Sequence, residues 1–298
     1  MNPGIHLLHK PAGPTSFSVV QDCMKSLKPA PGRRAPRICH GGALDPFASG
    51  LLLILVEPAT RLFDYLHPIP KTYQATIHWG IETDNGDPHG QITFRGDPSS
   101  LAPSQLDDFL KIFHGWQDQI PHATSNKRIG GERAYQKAHR GETVEMPASR
   151  VYLHEAHWLD HQLPHESRLQ MTVRGGIYVR ALARDLGRLA GCGAHLSQLR
   201  RISIGPWQDP GPSETVSLHG RDILPWCPSR ILTDMEIGDF RQDRDIPEKE
   251  LLPPDWPLPS GFPDPEAPVR GFHQDRLSFL MKRTEGRLQI ITPFRGGL

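Results

Sequence analysis

The sequence predicts an α+β fold, on three observations. Segments of β-rich alternation recur along the chain, residues 73–79 among them. Apolar stripes at helical spacing stand between them, as in Val179, Leu182, Leu186 and Leu189. Beyond a Pro-rich stretch, 247–268, two strand-like runs form a hairpin pattern.

In chain order, residues 5–8 read as a first strand. Thr15 or Ser16 can cap a helix whose apolar face is Phe17, Val20, Met24 and Leu27, with Pro29 and Pro31 to end it. Residues 33–39 form a basic connector, 51–56 a buried strand and 59–66 a short helix after Pro58. Residues 73–79 are a strand, Asn85-Gly86-Asp87-Pro88 a turn, and 91–94 a returning hairpin partner. A helix over 104–115 puts Leu106, Leu110 and Phe113 on one side. Residues 151–158 and 168–173 read as strands, and Gly191 closes the helix that carries the Val179 stripe. A boundary near 213–227 separates a first domain, 1–225, from a small β-rich one, 226–298. The latter opens on a short helix at 231–239 and ends on strands 276–282 and 287–291.

Composition narrows the class. A chain of 298 residues that is 37% hydrophobic can build a real core. The start shows neither a basic n-region nor an apolar h-region, so no secretory leader is expected. The longest purely apolar run, 51–56, is too short for a membrane span. The four cysteines have no C-x-x-C spacing and read as reduced thiols of a cytoplasmic protein. No P-loop or dinucleotide fingerprint occurs, so no cofactor is expected. His154, His157, His161 and His165 do not make a metal site: on a strand, a spacing of three points side chains to opposite faces.

Net charge is only +1, yet it is unevenly spread. Lys25, Lys28, Arg33, Arg34 and Arg37 stand together without an acid. Lys127, Arg128, Arg133, Lys137 and Arg140 face Glu132 alone. Six arginines between 174 and 201 face Asp185 alone, while acids gather between 234 and 255. Such a basic body favours a phosphate-bearing partner.

The segment Cys39-His40-Gly41-Gly42-Ala43-Leu44-Asp45-Pro46-Phe47-Ala48-Ser49-Gly50 sets one carboxylate in a Gly-rich turn. A turn or cap role is the plain alternative for a lone Asp-Pro. Four further segments share its partner set: Gly4-Ile5-His6-Leu7-Leu8-His9-Lys10-Pro11-Ala12-Gly13-Pro14-Thr15-Ser16, Lys71-Thr72-Tyr73, Gly176-Ile177-Tyr178-Val179-Arg180 and Leu199-Arg200-Arg201. With these five in order, the chain resembles the TruB family of tRNA pseudouridine synthases.

The resemblance implies a catalytic domain with a mixed, largely antiparallel sheet flanked by helices, followed by a small PUA-like domain. It implies isomerisation of uridine in the tRNA T-loop, at the position conventionally numbered 55, without metal or nucleotide. Asp45 matches the catalytic Asp, attacking ribose C1′ or uracil C6. Arg180 matches the Arg that pairs with it. Tyr73 matches the Tyr that stacks on the flipped base. Tyr178 and Leu199 match pocket walls, with plain core packing as the rival reading. His40 matches a His inserted where the base has left, and Lys10 a Lys that supports the region. Arg33, Arg34, Lys127, Arg128, Arg133 and Arg140 are candidates for phosphate contacts. The partner is the tRNA T-arm, and nothing demands more than a monomer.

The chain departs from the family pattern at 119–141, where His122, Thr124, Asn126, Arg128 and His139 replace the usual residues. Loss of the aromatic at 124 is expected to loosen the pocket edge or alter RNA preference, and Gly41 to make the catalytic loop more pliable. Two rival functions stand beside the synthase: a tRNA-folding chaperone, and an enzyme acting on ribosomal RNA in a guide complex.

Overall fold

The computed structural model describes residues 1–27 and 34–298, so Lys28, Arg33 and the expected stop at Pro29 and Pro31 lie outside the described residues. The chain divides into two compact units. One comprises Met1–Pro46, Gly50–Ile69 and Gly205–Leu298; the other comprises Phe47–Ser49 and Pro70–Ile204.

In the first unit, the strand Gly4–Lys10 pairs antiparallel with Ser49–Val56 on one side and Thr215–Leu218 on the other. Ile38–His40 lies along the second edge of Ser49–Val56. The six residues Leu51 to Val56 are wholly buried, as a continuous apolar run requires. Thr215–Leu218 forms a strand within the stretch where the boundary is expected: half of its residues are β-branched, and Ser217 Oγ meets His6 Nδ1 at 2.8 Å across the pair.

The helix Ser16–Ser26 is capped by Thr15, whose hydroxyl accepts from Ser18 N. Its buried face is Ser16, Val20 and Cys23, packed on Leu52, Ile54 and Val56. Phe17 and Met24 are exposed instead, at 62% and 48%. Ser16 decides this rotation, because its hydroxyl is tied inward to Leu44. A 3₁₀ turn Ala59–Leu62 and one α turn Phe63–Leu66 fill the expected short helix.

Further along this unit, a separate five-stranded sheet runs Ser229–Ile231, Val269–His273, Arg276–Thr284, Arg287–Pro293, Ile246–Pro247. Its first pair is parallel and the rest antiparallel. The short helix is Asp234–Arg241, later than expected because Ser229–Ile231 joins the sheet. Thr233 and Glu236 close a capping box at its start. Ile237 and Phe240 seal it against Val269, Met281 and Leu288. Arg270, wholly buried, donates to the carbonyls of Arg221, Ile223 and Cys227 and to the Asp255 carboxylate.

The second unit holds five antiparallel strands in the order Ala194–Ile204, Pro70–Trp79, Glu166–Arg174, Ser149–Gln162, Gly115–Gln119. Ile92–Arg95 does form a hairpin, but with Ile81–Thr83 rather than with the long strand before it. The helix Pro103–Ile112 buries Leu106 and Leu110. The helix Val179–Leu189 packs on Ala194–Ile204 so closely that a Cβ at Gly187 would fall 2.1 Å from Ala194 N. Only glycine permits that approach. Both units thus combine largely antiparallel sheets with a few helices, the α+β class.

Candidate active site

The Asp45 loop lies in the first unit and is held through its main chain. Gly41 N donates to Leu53 O at 2.8 Å, and Gly13 N to Pro46 O at 2.7 Å. Ser16 Oγ donates to Leu44 O and accepts from Leu44 N, at 3.0 and 2.8 Å. Lys10 is wholly buried and its ammonium donates to Pro11 O and Pro46 O. A buried ammonium is stable only when its donors are met, and these carbonyls meet two of them. Lys10 therefore fixes the residue after Asp45. Asp45 and His40 are both half-buried, and His40 Nδ1 accepts from Gly42 N at 3.4 Å. Gly41 is not a loose point: it is buried, and a Cβ there would fall 3.0 Å from Leu53 Cβ. Close packing offsets the backbone freedom that glycine brings.

The second unit carries Tyr73, Tyr178, Arg180 and Leu199. Tyr73 stands opposite Met171 and Arg201, and Leu199 opposite Ala75. Cross-strand partners share a face, so Tyr73, Leu199 and Arg201 lie on one face of the sheet, all buried. Tyr178 sits just before the helix Val179–Leu189, its N–H donating to Gln119 Oε1 at 2.8 Å. Burial pushes its pKa up, while Ser125 and Arg180 hold it down. Arg180 is 7% exposed and Nη1 donates to Asn85 O at 2.7 Å and to Thr124 Oγ1 at 2.8 Å. Where the family has an aromatic, the Thr124 hydroxyl anchors the guanidinium. Sequence reasoning missed Asn85, Thr124 and Ser16 as anchors. Asn85 acts through a main-chain carbonyl, which leaves no mark on residue type.

Lys71, two residues before Tyr73, is 5% exposed. Burial first, then the like charges of Arg201 and Arg174, bring its ammonium from 10.5 down to about 7. The folded value lies below the unfolded one. Between them the unfolded chain binds more protons, so this group makes stability rise with pH. In urea titrations, the wild-type midpoint is expected to climb relative to Lys71→Met as pH is raised from neutral towards 10.5. A constant difference between the two proteins would show that Lys71 keeps its proton throughout.

The phosphate-contact candidates differ in what occupies them. Lys127 Nζ is bound to Pro147 O, Ala148 O and Ser149 Oγ. Arg140 is paired with Glu132 and Glu142, and Arg34 with Glu57. Arg128 donates to Gly131 O and Arg133 to Asn126 Oδ1, both of them exposed bonds. Arg33 lies outside the described residues. Among the described residues, no group of three or more His, Cys, Asp or Glu side chains could hold a metal ion.

Comparison with known proteins identifies the family. Residues 32–179 match the model of the TruB family pseudouridylate synthase N-terminal domain, and 180–220 that of the tRNA pseudouridylate synthase B C-terminal domain. The chain is 36% identical over 261 residues to tRNA pseudouridine synthase B of Synechococcus sp. (strain WH7803), covering 82% of this chain and 84% of that one. It is 40% identical over 201 residues to the protein of that name from Acaryochloris marina (strain MBIC 11017), covering 66% and 67%. A chain in the crystal structure of a Cbf5-Nop10-Gar1 complex shares the fold, with a TM-score of 0.66 at 22% identity, covering 97% of this chain and 84% of that one. So does a chain in an H/ACA RNP bound to a substrate RNA, with a TM-score of 0.64 at 21% identity, covering 98% and 84%.

Proposed function

The chain belongs to the TruB family of pseudouridylate synthases, an enzyme that isomerises uridine to pseudouridine in tRNA, and we propose that its target is the T-loop uridine. The reaction breaks the bond between ribose C1′ and uracil N1 and joins C1′ to C5. The proton on C5 is lost and N1 gains one, so no redox partner is consumed. In this reading Asp45 is the reacting carboxylate, at C1′ or at C6, and Arg180 the guanidinium that balances its charge. Tyr73 stacks on the flipped base, Tyr178 and Leu199 wall the pocket, and His40 enters the space left in the RNA loop. Flipping costs a few kcal/mol, which stacking and pocket contacts must offset.

The observation that carries this reading is the clamp on the Asp45 loop. Lys10, Gly13 and Ser16 hold Leu44 and Pro46 by their main chain on both sides of the half-buried carboxylate. A nucleophile gains from being held in place before its substrate arrives. Arg33, Arg34, Lys127, Arg128, Arg133 and Arg140 are proposed to meet T-arm phosphates. Arg128 and Arg133, with weak local partners, fit that role better than Lys127 or Arg140. The domain division 1–225 and 226–298 is proposed too, supported by the separate sheet and core of the later part. A monomer acting in the cytoplasm completes the reading; among the described residues no helix is long and apolar enough to cross a membrane.

Tritium release from RNA labelled at uracil C5 tests it. Transcribed tRNA is expected to release its label without added metal or nucleotide. A transcript lacking the T-loop uridine, and ribosomal RNA fragments, are expected to release none. Tight tRNA binding without release would favour the chaperone instead.

A further inference from the structure

Two hydrogen bonds leave Nη1 of the buried Arg180, one to Asn85 O at 2.7 Å and one to Thr124 Oγ1 at 2.8 Å. Nη1 carries two hydrogens in the guanidinium plane, so these acceptors use both. One bond would let the group swing about it; two in different directions set its plane. They also fix which edge, Nε and Nη2, the guanidinium presents to a carboxylate.

The two acceptors differ in kind. Asn85 O belongs to the main chain of a turn tied by its own side chains. Asn85 Oδ1 accepts from Asp87 N at 2.9 Å, and Asp87 Oδ1 from His89 N at 2.8 Å. Thr124 Oγ1 belongs to a side chain on a short turn, which Ser125 N closes on His122 O at 3.1 Å. Two further bonds staple this segment to the helix Val179–Leu189: Tyr178 N to Gln119 Oε1 at 2.8 Å, and Arg184 Nη2 to Ile120 O at 2.9 Å. The two turns also brace each other. A Cβ on Gly86 would fall 2.6 Å from His122 Cε1 and 3.1 Å from Arg180 Cβ, so the ring, the Asn85-Gly86 turn and the root of the Arg180 side chain are closely packed.

An acceptor held this way needs no rearrangement while the reaction proceeds. An aromatic ring, which the family pattern has at this position, attracts a guanidinium through its face and tolerates tilt. A hydroxyl bonded to a charged donor is directional.

We propose that Thr124 is a positioning residue whose hydroxyl sets the plane of the Arg180 guanidinium for the isomerisation. This rests on the pseudouridine synthase reading above, in which Arg180 balances the reacting carboxylate.

The test compares the full-length wild type with Thr124→Val and Thr124→Ser by single-turnover tritium release at saturating tRNA, by tRNA affinity and by urea denaturation. Valine keeps the shape and removes the acceptor. It is expected to slow release about tenfold, the size of one hydrogen bond to a charged group, and to leave tRNA affinity unchanged. Serine restores the oxygen and is expected to recover most of the rate. The urea stabilities of Thr124→Val, Arg180→Met and the double variant tie the effect to the guanidinium: the double variant is expected to lose less than the sum of the single losses. Equal release rates for wild type and Thr124→Val overturn the proposal alone. So do equal losses of rate in the valine and serine variants, a loss confined to tRNA affinity, or additive losses of stability. Each of these takes the bond between hydroxyl and guanidinium out of the chemistry. Absence of release by the wild type overturns the underlying reading, and this proposal with it.

Discussion

Asp45→Asn releases no measurable tritium from tRNA: the expected loss in kcat is about 10⁴-fold, the order found when an essential catalytic carboxylate is removed. The amide matches the carboxylate in size but cannot attack carbon as an anion. The loop itself should survive. Its clamps from Lys10, Gly13 and Ser16 reach the main chain of Leu44 and Pro46, which the substitution leaves unchanged. The variant should accordingly keep its urea midpoint and its affinity for tRNA while losing turnover. Release at the wild-type rate would take Asp45 out of the chemistry. A collapse of the fold together with the activity would mean that the carboxylate is structural.

Arg270→Leu should bring the largest loss of stability, about 3–5 kcal/mol, with the lower end favoured. One guanidinium here serves three carbonyls, of Arg221, Ile223 and Cys227, and the carboxylate of Asp255. Arg270 is 0% exposed, so leucine would fill the space yet strand those acceptors in a dry interior. The Asp255 side chain is 36% exposed, and water can replace its lost partner, which sets the lower end. Lysine should not rescue the site, because a single ammonium cannot span the fan of directions a guanidinium covers. Urea denaturation of the full chain measures the effect. A loss below about 1 kcal/mol would mean that water reaches the carbonyls once the arginine is gone.

Elements with one uninterrupted signal were legible in the sequence. The apolar run 51–56 reads as a buried strand, and the Val179 stripe as a helix, though Leu189 is exposed while Val179 to Arg184 are all buried. The strand Ala194–Ile204 was not legible: register shifts between Leu196 and Gln198 and between Arg201 and Ser203 break its alternation. Phe17 and Met24 suggested the wrong helix face, because hydrophobicity alone could not show that Ser16 is tied inward. Within the site, Asp45, Tyr73 and Arg180 stood in motifs. Of what holds them, Lys10, Gly13 and Ser16 stood in the first motif, whereas Asn85 and Thr124 stood in none. Lys10 reaches carbonyls and Arg180 reaches Asn85 O, and a main-chain acceptor is the same in every residue. Thr124 and His122 looked like departures from a pattern, and their value shows only once the helix they touch is in view.

Two anchors of Arg180, Asn85 and Thr124, differ in what they ask of heredity. At position 85 any residue that preserves the bend presents an equivalent oxygen, so substitutions there should pass unnoticed by the guanidinium. At position 124 the oxygen belongs to the side chain, and serine alone among small residues offers a like-for-like exchange. Two neighbouring supports of one cation should therefore drift at unequal speed among descendants of this chain.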